Sequence, residues 1–365
     1  MLERENMEQD YQFSEKAWET INRIADGATL HPDLPRKPRE ERVNDLANWL
    51  NRYHYHCAGY NELGFDVAGF DRWDEYVEHY TGHLEEFENL PFYRYGGILA
   101  PRPADAIISD DKYLFYTYVN DILPGCTPKV YLKMRAGQVL PGPNEEKNGL
   151  DEIAKLPDGV YICKPSNAAC GKAVVKLEVR GHKLILPRRM TLRAFSTALR
   201  SRPYVVQEYI RQHPALAAFN PASVNTVRII TARFHRTVHY YTAILRVGVG
   251  DNVVDNAAAG GTFVHIDEES GTLGKFGLYH NRPAELKHPV SGLAYEGFQI
   301  PFWKESVDLV KFLHRFFPFS PTLGWDVAIT EKGPVVIENN YDWSYDAMQH
   351  AAGGLRAKLN ELKNL

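Results

Sequence analysis

The chain has 365 residues, 44% of them hydrophobic and 12% aromatic, enough for two or three domains with filled cores. Its 42 basic and 46 acidic residues leave a formal net charge of −4, and no basic block stands out, which argues against nucleic acid as a partner. The four cysteines, Cys57, Cys126, Cys163 and Cys170, form no CxxC pair, so neither a zinc knuckle nor a disulfide framework is expected and a reduced, cytoplasmic setting fits.

The acidic start MLERENMEQDYQFSEK lacks the basic head and apolar run of a signal peptide, and no later stretch reaches the roughly 20 apolar residues of a membrane span. From there to about Tyr95 the text reads helical, with charged residues and aromatics recurring at intervals of three and four in REERVNDLANWLNRYHYHCAGYNELGF and again in FDRWDEYVEHYTGHLEEFENL. The prolines of LHPDLPRKP break this leader into two helical regions. SDDKYLFYTYVNDI follows as a capped helix, with Ser109 or Asp110 as the cap. VYLKM, QVL, GVYICKP and AVVKLEV are short β-rich runs between glycines and prolines, the pattern of an antiparallel sheet. A helix over Thr191–Arg200 leads into the β-run YVVQEYI. TVRIITARF, VHYYTAILRVGV, TFVHID, WDVAIT and PVVIENN continue as strands, and FWKESVDLVKFLHRFF is an amphipathic helix among them.

GWDVAITEKGPVVIENN carries the densest chemistry. A turn centred on Lys332 sets Thr330 opposite Pro334, Ile329 opposite Val335 and Asp326 opposite Glu338. Facing carboxylates repel, so such a pair calls for a cation or a shared proton. Asn340 falls on the same face two residues past Glu338, completing an oxygen set suited to Mg²⁺ when substrate phosphates fill the rest of its shell. Val327, Ile329, Val335 and Ile337 then form the opposite, buried face. A surface hairpin whose polar face ends in acids satisfies the same spacing.

Lys164 ends an apolar strand ahead of PSNAACGK, a loop of small residues whose N–H groups can approach phosphate oxygens, although neither a Walker A motif nor GxGxxG is present. Lys112 opens the capped helix, where a cation opposes the helix dipole unless an anion is near; a phosphate would serve, and so would Asp110 or Asp111. Arg228 in NTVRIITA and Arg246 in AILRVGV lie on apolar strands, placed either to clamp a ligand's phosphate or carboxylate or to bridge to an acidic side chain. VVDNAAAGGTF offers Asn256, with Gly260 and Gly261, as a loop able to close over a reacting group or as a plain hairpin turn.

Taken in order, Lys112, KPSNAACGK, VVQEYI, NTVRI, LRVG, DNAAAGG, GWD and IENN resemble the sugar-transfer-associated ATP-grasp family over roughly Phe92 to Gly354. Its members carry a helical leader, EYIxQHP, NTxR, DN followed by GG, and GWD followed by GPVxIExN. The resemblance implies an α+β ATP-grasp fold, two α+β lobes clasping ATP, with a helical N-terminal region at residues 1–95, a small N-terminal lobe at 96–210 and a C-terminal lobe with the metal site at 211–365. It makes Lys112 and Lys164 the phosphate-binding lysines and Gln207, Glu208, Tyr209 and Ile210 the hinge whose backbone reads adenine. It makes Asp326, Glu338 and Asn340 the ligands of Mg²⁺, or of Mn²⁺ in its place, and Arg228, Arg246 and Asn256 the catalytic groups that stabilise a transferring phosphoryl or acyl phosphate. Glu208 and His213 are its candidates for the ribose contact.

The loop SNAACGK departs from the glycine-rich loops of ATP-grasp proteins in its alanines and Cys170; Cys170 and Cys163, with no base beside them in sequence, read as packing residues. The implied activity is an ATP- and Mg²⁺-dependent carboxylate–amine ligase that forms an amide through an acyl phosphate. An amino acid, peptide or uronic acid would be the substrate, in surface-glycan or specialised-metabolite biosynthesis. Two alternatives stand beside it: a kinase on the same scaffold acting on a hydroxyl or amide, with His235, His239 or His265 as base, and a nucleotide-binding module without catalysis.

Overall fold

The computed structural model describes residues 13–29, 32–53, 56–57, 59–61, 64–68, 92–95, 98–101, 103–142, 145–168, 173–250, 255, 260–279 and 283–365. Its N-terminal region is helical. α1 (Glu15–Ala25) begins at Ser14, whose hydroxyl accepts the N–H of Ala17 at 3.2 Å, and α2 (Arg39–Tyr53) shares a core with it through Ile21, Leu46, Trp49 and Leu50. The helical pattern read over residues 70–90 lies outside the described residues. At its far end the helical reading is overturned: β1 (Phe92–Tyr95) and β2 (Ile98–Pro101) form an antiparallel hairpin, in keeping with the strand preference of the aromatic FYRY.

α3 (Ala106–Asp110) and α4 (Lys112–Ile122) come next, and the cap of α4 is neither Ser109 nor Asp110. Asp111 accepts the N–H groups of Tyr113 and Leu114 at 2.9 and 3.0 Å, which leaves Lys112 as the first helical residue. The first sheet follows, with β3 (Val130–Arg135), β4 (Gln138–Gly142), β5 (Glu145–Asn148), α5 (Gly149–Ala154), β6 (Gly159–Pro165), β7 (Val175–Arg180), β8 (Lys183–Ile185), α6 (Leu192–Ser201) and β9 (Tyr204–Glu208). Its seven strands are antiparallel in the order β5-β4-β3-β9-β6-β7-β8. Ile153 of α5 and Phe195 and Leu199 of α6 share a core with Met134, Tyr161, Cys163 and Val206. Ile162 and Lys164 alternate with Tyr161 and Cys163 along β6 and so point to the opposite face.

The short helix α7 (Pro214–Ala217) leads to the second sheet, formed by β10 (Val227–Phe234), β11 (Thr237–Val247), β12 (Thr262–His265) and, after α8 (Trp303–His314), by β13 (Thr322–Thr330) and β14 (Gly333–Asn340). The order is β12-β11-β10-β13-β14, again antiparallel. α8 packs Val310 and Leu313 into the core that holds Trp325, Val327 and Ile329. Two closing helices that the sequence pattern did not announce, α9 (Tyr345–Ala352) and α10 (Arg356–Lys363), pack with Ile230, Ile244 and Trp343. Among the described residues no helix is long and apolar enough to cross a membrane.

Asp326 does pair with Glu338, but by a different route from the one expected. The turn is two residues, Glu331 and Lys332, so Thr330 faces Gly333 and Ile329 faces Pro334. A bulge between Val336 and Glu338 then takes up one residue, Ile337, and restores the register at the carboxylates. The expected buried face is corrected with it: Val336 joins Val327 and Ile329 in the core, while Val335 and Ile337 are only half-buried.

Candidate active site

A cleft of about 1030 Å³, mouth included, lies between the two sheets. One wall is the end of β9 and the residues after it. Gln207 is buried, and the N–H of Glu208 donates to the carbonyl of Lys129 at 2.9 Å. The backbone groups of Tyr209 and Ile210 pair with no other backbone group among the described residues, which leaves an open hydrogen-bonding edge. Ile162, Val174, Val224 and Ile337 flank it with apolar surface. An apolar slot beside a free backbone edge suits a flat heteroaromatic ring. Within three residues the chain reaches the second sheet, where the N–H of His213 donates to the carbonyl of Ile329 at 2.7 Å. The His213 ring accepts the N–H of Ala215 and starts α7, so it is a helix cap and not part of the cleft lining; of the two ribose candidates, Glu208 alone lines the cleft.

The lysines lie farther along. Lys164 is buried, 7% exposed, and among the described residues nothing accepts a hydrogen bond from it or pairs with its charge. Burial lowers its pKa to about 8, with Glu338 pulling it back up and Lys112 pushing it further down. Lys112 donates to the carbonyl of Ala168 at 2.7 Å and stands 3.3 Å from Glu338. Its partner is therefore an acid on the other sheet, not the neighbouring Asp110 or Asp111. An unpaired buried ammonium beside a second one, on a concave wall, is a site that an anion would stabilise.

The floor is an alternating row of charges. Arg228 grips Asp326 with two parallel bonds, Nε to Oδ1 at 2.7 Å and Nη2 to Oδ2 at 2.8 Å. Arg246 donates from Nη1 to Asp326 Oδ2 at 3.0 Å and from Nη2 to Asp255 Oδ1 at 2.9 Å. Asp255 in turn accepts the N–H of Thr226 at 2.9 Å and the Thr226 hydroxyl. Burial pushes the Asp326 carboxyl up, but Arg228 and then Arg246 outweigh it and hold the pKa at about 2. Burial pulls Arg246 down, yet Asp255 and Asp326 together leave it more firmly protonated than a free arginine. The two arginines thus take the fate left open in the sequence, that of bridging to acids. The repulsion between Asp326 and Glu338 is answered by the chain's own cations, the arginines on one acid and Lys112 on the other.

Of the residues read from the sequence, the cleft gathers Lys112, Lys164, Gln207, Glu208, Tyr209, Ile210, Arg246, Asp326 and Glu338. Arg228 reaches it only through Asp326, and Asn340 sits two residues along β14 from Glu338 with its Nδ2 buried and unbonded. Asn256 and the loop residues Cys170 to Lys172 lie outside the described residues. Cys163 is buried, which raises its thiol pKa far above the ordinary value and agrees with a packing role. His235, His239 and His265 do not line the cleft. Asp255, Thr226 and Ile337 line it without a site role having been read for them: Asp255 and Thr226 stand in the DNAAAGG and NTVRI motifs, but their partners lie on other strands, and Ile337 was expected on the buried face.

The donors fit a hard divalent cation on one condition. Among the described residues no three His, Cys, Asp or Glu side chains gather into a metal cluster, and both oxygens of Asp326 already accept from guanidinium groups. Glu338, with the spare accepting capacity of Asp326 and the amide of Asn340, offers an oxygen-only set that Mg²⁺ would complete with substrate phosphates and water.

A family model described as sugar-transfer associated ATP-grasp matches residues 102–364. No curated protein matches the chain. Among solved structures, D-alanine-D-alanine ligase from Helicobacter pylori is 13% identical with a TM-score of 0.38, over 71% of this chain and 60% of that one. The D-alanine–D-alanine ligase from Bacillus anthracis is 15% identical with a TM-score of 0.35, over 70% of this chain and 66% of that one. An L-amino acid ligase from Bacillus licheniformis is 12% identical with a TM-score of 0.34, over 64% of this chain and 41% of that one. The chain therefore spans 60% of the length of the first of these structures, and at such scores the likeness assigns no residue a role.

Proposed function

The chain belongs to the sugar-transfer associated ATP-grasp family, with its α+β fold and a helical N-terminal region, and on that premise we propose that it is an ATP- and Mg²⁺-dependent ligase joining a carboxylate to an amine. The observation that carries this reading is the pairing of two features across one cleft. The ammonium of Lys164, without a partner among the described residues and with Lys112 beside it, faces the row of Asp326, Glu338 and two arginines. Positive charge awaiting an anion and oxygen donors suited to a cation, in one concave site, match a nucleotide's phosphates together with a metal.

The adenine ring lies against Tyr209 and Ile210, taking hydrogen bonds from their free backbone edge. Lys112 and Lys164 hold the phosphates. Glu338, Asp326 and Asn340 would hold Mg²⁺, which would supply Lewis-acid neutralisation of the phosphate charge. A carboxylate oxygen of the substrate attacks the γ-phosphorus, the bond to the bridging oxygen breaks, and ADP leaves. Arg246, with Arg228 behind it, offsets the charge on the transferring group, and Asn256 serves the same step from the β11–β12 connection. An amine then attacks the acyl carbon and phosphate departs, giving the amide. The substrates are an amino acid, peptide or uronic acid, the setting is cytoplasmic, and the product feeds surface-glycan or specialised-metabolite assembly.

The test is ADP and phosphate release from Mg²⁺-ATP, with and without a panel of amino acids and uronic acids, in the wild type and in Glu338→Gln. Acceptor-stimulated phosphate release that falls by about 100-fold or more in the variant is the expected result. ADP formed with a phosphorylated acceptor and no free phosphate would replace the ligase by a kinase, and tight nucleotide binding without turnover by a binding module.

A further inference from the structure

Asp255 is a buried carboxylate with every contact directed inward. One oxygen takes Nη2 of Arg246, and the other takes both the N–H and the hydroxyl of Thr226. Thr226 is itself tied to the strand of Arg246, since the N–H of Arg246 donates to the Thr226 carbonyl at 2.8 Å. The acid, the threonine and the arginine form a closed ring of hydrogen bonds that all line the cleft. Arg246 is held at both ends of its guanidinium, by Asp326 on Nη1 and by Asp255 on Nη2, and its remaining N–H groups have no protein acceptor among the described residues.

A guanidinium fixed by two carboxylates cannot swing, so whatever its free N–H groups address is addressed at one angle. Asp326 alone would leave Arg246 a single contact and a choice of rotamers, because the stronger, two-pronged grip of Asp326 goes to Arg228. Asp255 removes that choice. Its own saturation leaves it little capacity to act as a base or a metal ligand without breaking the ring.

We infer that Asp255 is a positioning residue: through Arg246 it aims fixed hydrogen-bond donors at the terminal phosphoryl group of the nucleotide, with Thr226 as the brace that keeps it in place. This rests on the functional reading above only in placing the γ-phosphate against Arg246, so it can be tested without an acceptor.

The measurement is the dissociation constant of Mg²⁺-ADP and of its non-hydrolysable triphosphate analogue, AMPPNP, in the wild type, Asp255→Asn, Arg246→Gln and the double variant. The ratio of the two constants reports what the γ-phosphate adds. In Asp255→Asn this ratio should fall by about tenfold while ADP affinity holds, and the melting temperature should drop because a buried ion pair loses its charge partner. Arg246→Gln should match it, and the double variant should lose no more than either single. Losses that add in the double variant, an unchanged ratio, or ADP affinity falling as far as that of AMPPNP would each overturn the inference. Should Asp255→Asn not fold, Thr226→Val keeps the backbone bond and removes the brace: a drop in the ratio of about threefold is expected, and no drop overturns the inference. A wild type that shows the γ-phosphate gain but no acceptor-dependent turnover removes the ligase reading and leaves this one standing. A wild type without the gain removes this one.

Discussion

Lys164 on the first sheet and Arg246 on the second are both buried cations facing the same cleft, yet Lys164 has no partner among the described residues and Arg246 has two carboxylates. The difference follows from where each stands. Lys164 is the last residue but one of β6, and the charges that act on it, Glu338 and then Lys112, do so without an ion pair. Arg246 lies inside a sheet in which β10 brings Arg228 beside Asp326 and the β11–β12 connection returns Asp255. One wall is therefore completed by the chain, and the other leaves Lys164 without a partner among the described residues. A buried unpaired charge costs stability, whereas a satisfied network rigidifies, so the two walls should answer to mutation in opposite senses.

The largest effect is expected on the satisfied side. Asp326→Ala strips Arg228 of its two-pronged partner and Arg246 of one of two, and should lower unfolding stability by about 3–5 kcal/mol in a denaturant titration without nucleotide. A variant as stable as the wild type would mean that the arginines find other acceptors and that the contrast between the walls is mistaken.

Lys164→Met should do the reverse. It replaces a desolvated ammonium by an apolar chain of similar length, so the nucleotide-free protein should be as stable as the wild type or slightly more so, while nucleotide affinity drops by about thirtyfold. Calorimetry of binding beside thermal melts reads both. A marked fall in stability with binding intact would place Lys164 among the structural residues.

The smallest effect sharpens the same point through pH. The folded value for Lys164, about 8, lies below the ordinary 10.5, so between these values the unfolded chain holds a proton that the folded chain has shed. The contribution of this group to the stability of the nucleotide-free protein accordingly rises as pH climbs from about 8 toward the ordinary lysine value. Phosphate binding runs the other way, because it needs the ammonium: affinity should fall by about tenfold between about pH 7 and about pH 9. Lys164→Arg, charged throughout, should flatten that profile, and a wild-type profile already flat over this range would show that Lys164 is not titrating there.

Much of this was legible in the residues. The strand runs and amphipathic helix follow from periodicity, whereas the opposition of Asp326 and Glu338, expected from a turn centred one residue too late, holds only because the bulge at Ile337 takes up the difference. The reach of sequence ended where partners come from far along the chain. Arg228 and Asp326 are separated by 98 positions, and only the order β11-β10-β13 makes neighbours of Arg246, Arg228 and Asp326. For the same reason the two arginines stayed ambiguous between ligand and acid, and Asp255, visible as the first residue of the DNAAAGG motif, received no role. Nor did spacing point to Asp111 as the cap of α4 ahead of Ser109 or Asp110, since all three offer an accepting side-chain oxygen and the backbone angle decides. The helical reading overran into β1 because charged and aromatic residues at mixed intervals fit both periods.

The bulge at Ile337 gives the hairpin one residue of slack. Counting back from the turn, the strands are in step up to Val336, out of step by Ile337 alone, and in step again from Glu338. Removing Ile337 would leave Val336 opposite Val327 and Glu338 opposite Asp326, with a regular ladder between them. Losing a residue from Pro334 to Val336 can be absorbed in the same way, by letting Ile337 step inward into the vacated place. The carboxylate rung is thereby insulated from single deletions on its own strand. The corresponding stretch of β13, which has no spare residue, carries no such insurance, and a deletion there would turn Asp326 away from both arginines at once.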